Sequence, residues 1–339
     1  MSREIKKKKP VYTRVLKLFS FLFLIFALVL VLAYIELGKI NTSPTNSNKV
    51  VTVNDDSNMK NYTNIALFGI DSQSGSMSDR GNRSDSIIVV SINNKTKKIK
   101  MLSVYRDTYL SINGHYSKVN AAYSWGGPEL AMSTLNRNLD LNITQYATVN
   151  FKIFANIVDS LGGVKLNVRS EVIKNLNAYI KNMNHLNGGN SPKITNAGVQ
   201  TLDGNQAVAY SRIRYTSGGD LMRASRQREV LQAIFSKAKT HPIKLISAMN
   251  TVLPQIKTNM KRNELFTMML SVFRYNISEQ QAFPYKQREA KLYGADYGFP
   301  TTLKSNTIKV HKYLFGTENY QVSTELSKIN QKIINIIGY

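Results

Sequence analysis

The chain has 339 residues, enough for one membrane span and one sizeable globular domain. Its 45 Lys and Arg against 21 Asp and Glu give a formal net charge of +24, so its partners should be anions: nucleic acid, membrane phosphates or phosphorylated polymers. The absence of cysteine excludes thiol catalysis, a disulfide framework, a cysteine-based zinc site and a lipoprotein anchor.

Lys6 to Lys9, with Arg14 and Lys17, make residues 1–17 a basic tail. Residues 18–35 then form a continuous apolar run of 18, long enough to span a bilayer with snorkelling ends. Positive charge before the run and none directly after it orient the tail to the cytoplasm and the body to the outside. No A-x-A-like cleavage site follows between Ala33 and Asn41, so the sequence predicts an uncleaved signal anchor. Residues 36–60 are rich in Asn, Ser and Thr and read as a tether, and the folded domain is expected over residues 61–339.

In that domain residues 65–70 and 86–92 read as buried strands, and Asn93, Asn94, Lys95 and Thr96 turn the chain into a third strand at 99–104. If the second and third form a hairpin, Asp85 meets Arg106 and Asp107 at one edge. An antiparallel first strand would bring Asp71 there too. Gly126, Gly127 and Pro128 precede a helix at 129–139. Residues 147–149, 151–160 and 164–168 read strand, helix, strand, with Gly162 and Gly163 as the stop. A short strand is predicted at 207–213, a helix at 221–239, one or two helical segments at 245–274 and a last helix at 324–337. The mixture predicts a single α/β (α+β) domain, a central mixed β-sheet flanked by helices, preceded by one transmembrane helix.

Asp71 and Asp85 at strand ends suit a hard cation such as Mg²⁺ (or Mn²⁺), which takes one or two carboxylates plus phosphate oxygens and water. They suit turn and strand caps equally well, although Arg83 and Arg106 beside them favour phosphate chemistry. Arg212 and Arg214, two apart on a predicted strand, should share a face, as should Asp220, Arg223 and Gln227 at the start of the next helix. Five arginines lie between Arg212 and Arg228, with Asp220 and Glu229 as the only acids alongside. Such a run is either a solvated basic helix or a grip for oxyanions. Lys118 fits a phosphate-binding point charge or a solvated loop lysine. His115, His185, His241 and His311 lack metal-ligand spacing, no G-x-S-x-G or glycine-rich phosphate loop occurs, and Ser236 with Lys239 matches S-x-x-K without its companion motifs.

The segments Asn64 to Asp71, Arg83-Ser84-Asp85, Val104 to Thr108 and Lys118 to Tyr123, with Tyr210-Ser211-Arg212-Ile213-Arg214 followed by Asp220, Arg223, Arg226 and Gln227, resemble the LytR-CpsA-Psr family over residues 61–240. Tyr105 departs from it, standing where many members have Pro before the Arg-Asp pair. The resemblance implies a phosphotransferase of Gram-positive bacteria. Its partners would be an undecaprenyl-pyrophosphate-linked glycopolymer, peptidoglycan and the membrane, without nucleic acid. It implies metal-binding carboxylates at Asp71 and Asp85 and a pyrophosphate grip of Arg83, Arg106, Lys118, Arg212, Arg214, Arg223 and Gln227. Arg83, Arg106, Asp107 and Asp220 would stand at the reacting centre, with Asp220 orienting the arginines. Residues 151–158 and 243–253 would wall a polyprenyl groove or the core. Three alternatives stay open: a membrane-tethered regulator, for which residues 1–17 are too short a DNA-binding domain; a non-catalytic polymer receptor, which has no use for Asp71 and Asp85; and a hydrolase with water as acceptor.

Overall fold

The computed structural model describes residues 38, 50–52, 57–72, 77, 81–214 and 219–338, without the side chains of residues 220, 246, 247, 249, 250 and 253. The expected cytoplasmic tail and transmembrane run lie outside them. Among the described residues no helix is long and apolar enough to cross a membrane.

β1 (Tyr62–Ile70) is apolar on both faces because helices cover its sheet on both sides. It pairs antiparallel with β2 (Ser84–Asn93), which pairs antiparallel with β3 (Lys98–Val104). In the tight turn between them, Asn93 Oδ1 accepts from the Lys95 and Thr96 amides at 3.0 and 2.9 Å. β4 (Tyr109–Ile112) and β5 (His115–Lys118) form a small hairpin, so Lys118 ends a strand instead of lying in a loop. The following helix α1 (Ala121–Leu139) begins eight residues earlier than expected. Gly126 and Gly127 leave helical geometry (φ −150° and 66°), and Pro128 starts the second part.

β6 (Gln145–Asn150) lies parallel to β1 and leads directly into α2 (Phe151–Ser160), capped by Asn150 Oδ1 on the Ile153 amide at 2.9 Å. β7 (Val164–Val168) follows, then α3 (Ile173–Asn187) and β8 (Gly198–Leu202), antiparallel to β7. The strand expected at 207–213 is a helix, α4 (Gly204–Arg212). An apolar run this short reads equally as strand or helix by period. The decision is made before it starts: Asp203 caps the Gln206 amide and the Gln206 side chain returns to the Asp203 amide, a closed capping box.

α5 (Gly219–Thr240), α6 (Pro242–Val252), the two-residue β9 (Lys257–Thr258) and α7 (Arg262–Ser271) come next. Then follow β10 (Asn276–Phe283), the hairpin β11 (Gln287–Leu292) and β12 (Ala295–Pro300), α8 (Leu303–Phe315) and α9 (Thr324–Ile337). The central sheet has the order β10-β3-β2-β1-β6-β9 and is mixed, as expected. One face packs Phe68, Val89 and Leu102 against α1, α8 and α9 through Leu135, Val310 and Ile333. The other carries Ile65, Ile88 and Met101 against Phe235 of α5 and Leu265 of α7. A third cluster joins α2, α3, α4 and the β7–β8 pair through Val158, Ile180, Val208 and Leu166. Each such buried side chain contributes roughly 1.5–3 kcal/mol, which is what fixes the strand ends where the polar residues gather.

Candidate functional site

At the edge where β1 ends and β2 begins, the Asp71 amide donates to the Arg83 carbonyl at 3.4 Å. The hairpin register sets Asp85, near the start of β2, beside Arg106, just past β3. Arg106 Nη1 donates to Asp85 Oδ2 at 2.8 Å. Two more guanidiniums reach that oxygen from 129 and 138 residues along the chain: Arg214 Nη2 at 3.2 Å and Arg223 Nη2 at 3.4 Å. The side chains of Asp85 and Arg223 are only 11% and 5% exposed. Burial pushes the Asp85 carboxyl up, but Arg223, Arg106 and Arg214 together outweigh it and hold it below its ordinary value. It is a firmly ionised carboxylate.

Arg212, the last residue of α4, lies 4.0 Å from Asp71 Oδ2. Its guanidinium stacks 4.3 Å from the Phe151 ring centre and 5.7 Å from that of Tyr179, and Nη1 donates to Asn182 Oδ1 at 3.1 Å. Asp107 draws Lys118 Nζ to 2.7 Å and Arg106 Nε to 3.3 Å. Ser86 Oγ donates to Gln227 Oε1 at 3.0 Å. Two groups of residues about 140 apart in sequence thus converge on one edge. Among the described side chains, the five cations Arg106, Lys118, Arg212, Arg214 and Arg223 face three acids, Asp71, Asp85 and Asp107, an excess of two positive charges.

Not every expected residue joins. Arg83 is exposed, and among the described residues the ion-pair partners of Asp85 are Arg106, Arg214 and Arg223 and that of Asp71 is Arg212. Asp220 lies in the first turn of α5, and its side chain falls outside the described residues. Arg212 and Arg214 do not share the face of a strand. Arg212 closes a helix, extended Ile213 turns the chain, and Arg214 goes to the other carboxylate. Nor is α5 a solvated basic helix at this end: Arg223 and Arg226 are buried, and Arg226 Nη1 holds the Ile213 carbonyl at 3.1 Å.

Sequence reasoning overlooked several supports. Tyr179 and Asn182 belong to α3, whose apolar Leu176, Ile180 and Met183, spaced four and three apart, carry a readable helical signal. The β11–β12 hairpin braces the site with no such signal. Gly298 N donates to the Asp107 carbonyl at 3.0 Å, and the Tyr297 ring lies 5.4 Å from Lys118 Nζ.

Among the described residues no group of three or more His, Asp or Glu could hold a metal unaided. Two carboxylates, Asp71 and Asp85, stand at the ends of adjacent strands; a hard cation held by so few protein oxygens would take the rest of its shell from ligand oxygens and water. Behind the charged edge opens a cavity of about 240 Å³. Leu67, Ile88, Ala147 and Val149 of the sheet, Phe151, Phe154 and Ile157 of α2, and Leu231 and Ile234 of α5 line it. Only Asp85, Ser86, Asn150, Ser211, Arg212, Arg223 and Gln227 give it polar walls. Residues 151–158 divide between core and cavity, with Ile153, Ala155 and Val158 buried in the core and Phe151, Phe154 and Ile157 lining the cavity.

A cationic socket at one end of an apolar chamber, set at the edge of a mixed sheet, defines the class of α/β protein to which this fold and site belong. The chain belongs to the LytR_cpsA_psr family, whose model matches residues 28–312. It is 35% identical over 208 residues to the polyisoprenyl-teichoic acid--peptidoglycan teichoic acid transferase TagT of Bacillus subtilis (strain 168), covering 60% of this chain and 61% of that protein. It is 37% identical over 173 residues to the regulatory protein MsrR of Staphylococcus aureus (strain COL), covering 50% and 47%. The chain thus spans about half to three fifths of the length of these relatives. Its fold is similar to a solved LytR-CPS2A-psr family protein YwtF (TagT) with bound octaprenyl pyrophosphate lipid, at TM-score 0.61 and 26% identity, covering 82% of this chain and all of that one.

Proposed function

We infer that this chain is a phosphotransferase that moves a glycopolymer from an undecaprenyl-pyrophosphate carrier to the 6-hydroxyl of muramic acid in peptidoglycan, on the outer face of a Gram-positive membrane. The observation that carries this reading is the union of the cationic socket with the apolar chamber. A polyprenyl chain would lie along Leu67, Phe154 and Leu231, and its pyrophosphate would meet Arg106, Arg212, Arg214, Arg223 and Lys118. Those cations are positioned before any ligand arrives, because Asp71, Asp85 and Asp107 neutralise enough of their mutual repulsion to hold them together. The two surplus charges remain for the substrate.

In the reaction the muramyl oxygen forms a bond to the phosphorus that carries the polymer. The bond from that phosphorus to the bridging oxygen breaks, the hydroxyl proton is released, and undecaprenyl phosphate leaves with the electron pair. Asp71 and Asp85 would hold Mg²⁺, which neutralises charge on the pyrophosphate when bound. Arg212 and Arg223 fix the pyrophosphate relative to the sheet edge, and the chamber walls exclude water from one side of it.

The test is incubation of the full chain in detergent with a synthetic lipid-pyrophosphate glycan, a peptidoglycan oligomer and Mg²⁺. Mass spectrometry should find the polymer joined to the oligomer. Release of free glycan phosphate alone would favour the hydrolase, and binding without turnover would favour the receptor.

A further inference from the structure

Half of helix α7 is apolar, namely Leu265, Phe266, Met268, Met269 and Leu270, yet the helix fully buries none of its residues. Leu265 and Met268 are partly covered by the sheet cluster that holds Met260 and Phe235. Leu270 and, just beyond the helix, Phe273 stand 45% and 51% exposed. Neighbouring α6 turns Leu245 and Ala248 inward, onto Ile157 and Ile234, and leaves Ile243 82% exposed. Leaving three such side chains in water forgoes the hydrophobic gain of covering them.

Three observations identify what covers them. First, residues 237–274 contain seven Lys and Arg, namely Lys237, Lys239, Lys244, Lys257, Lys261, Arg262 and Arg274, against the single acid Glu264. Even that acid is engaged, accepting from the Lys261 amide at 2.6 Å and from Gln145 Nε2 at 3.0 Å. Apolar side chains set in a basic band match a layer of anionic phosphates over hydrocarbon. Second, Gly38, three residues past the apolar run 18–35, lies against the first residue of α7: a Cβ on Gly38 would come within 3.2 Å of the Arg262 guanidinium carbon. Third, the apolar end of the chamber stops behind these helices. Ile157 and Ile234 line both the chamber and the α6 cluster, and Leu231 and Ala147 line both the chamber and the α7 cluster. Ile234 is 11 residues beyond Arg223 on α5, about 16 Å of helix away from the cationic socket.

We propose that the α6–α7 surface rests on an anionic lipid bilayer, with Ile243, Leu270 and Phe273 at the headgroup–acyl boundary and the basic band on the lipid phosphates. The apolar end of the chamber then faces the membrane, and the Asp85 cluster faces away from it. This surface goes beyond the transfer chemistry and does not depend on it.

The chain has no cysteine, so one introduced thiol carries one label. Full-length Ile243→Cys, Leu270→Cys, Phe273→Cys and, on the β11–β12 turn, the 93% exposed Tyr293→Cys are labelled with an environment-sensitive fluorophore. Each is reconstituted without substrate into vesicles of phosphatidylglycerol and phosphatidylcholine. Doxyl-lipid quenching at 243, 270 and 273 should exceed that at 293 at least twofold, with less quenching by aqueous iodide. Adding Lys244→Glu and Arg274→Glu should halve the lipid quenching in these vesicles and leave it unchanged in pure phosphatidylcholine. Iodide quenching equal to that at 293 would overturn the proposal. So would shielding from both quenchers, which would mean that a second copy or another protein covers the surface.

Discussion

One oxygen of Asp85 accepts from three guanidiniums while Asp71 meets one at 4.0 Å, and this asymmetry separates two carboxylates that look equivalent in sequence. Asp71→Ala should abolish transfer yet leave urea stability within about 0.5 kcal/mol, since the residue is about a third exposed. Asp85→Ala should abolish transfer and also lower stability by about 2–3 kcal/mol, because Arg106, Arg214 and the buried Arg223 then face one another uncompensated. Equal stabilities of the two variants would refute the difference. At Arg212 a lysine keeps the charge but loses the stacking on Phe151 and the fork that spans Asn182 and Asp71. Arg212→Lys should therefore reduce kcat/KM for the lipid-pyrophosphate substrate tenfold or more, with little change in Tm. The meeting of Asp85 with Arg106 was legible from the hairpin alone, because register follows from a short turn. The burial of Arg223 was not: an i, i+3, i+7 spacing says that side chains share a face but not whether the face is wet.

Helix α4 shows how an element can be misread while its residues still reach the right place. Its apolar stretch from Ala207 to Tyr210 carries no period that separates strand from helix, and the capping box at Asp203 and Gln206 was the signal that decided it. Asp203→Ala should cost about 1–2 kcal/mol in urea unfolding and loosen the helix that ends in Arg212, so activity should fall more steeply than stability alone explains. The chamber makes a second demand at this scale. Ile256, between α6 and β9, belongs to its apolar wall. Ile256→Trp should fill that part of it and raise KM for long polyprenyl substrates several-fold while leaving short-chain analogues unaffected. A uniform loss across chain lengths would place the defect elsewhere. The walls from α2 were readable as an apolar stripe, but its division between core and chamber depends on α5, which arrives about 70 residues later.

For the whole molecule, the arrangement least visible in sequence is the pairing of β10 with β3, residues Asn276 to Phe283 against Lys98 to Val104. No local pattern announces a partner about 180 residues away. The last helix is as deeply committed: Leu326, Ile329 and Ile333 join the main core, and Asp140 binds the Ser323 amide and hydroxyl at 2.7 and 2.6 Å. Removing residues 324–339 should therefore unfold the domain and not merely shorten it, to be read as loss of the cooperative urea transition. The same connectivity governs how the protein comes into being. A sheet whose edge strand is supplied by residue 283, and whose core is closed by residue 333, stays incomplete until nearly the whole chain has been delivered. Contacts of such long range are slow to form. A chain threaded outward from its N-terminal end would thus spend its transit unclosed, and would acquire its three-arginine lock on Asp85 only after Arg223 had emerged.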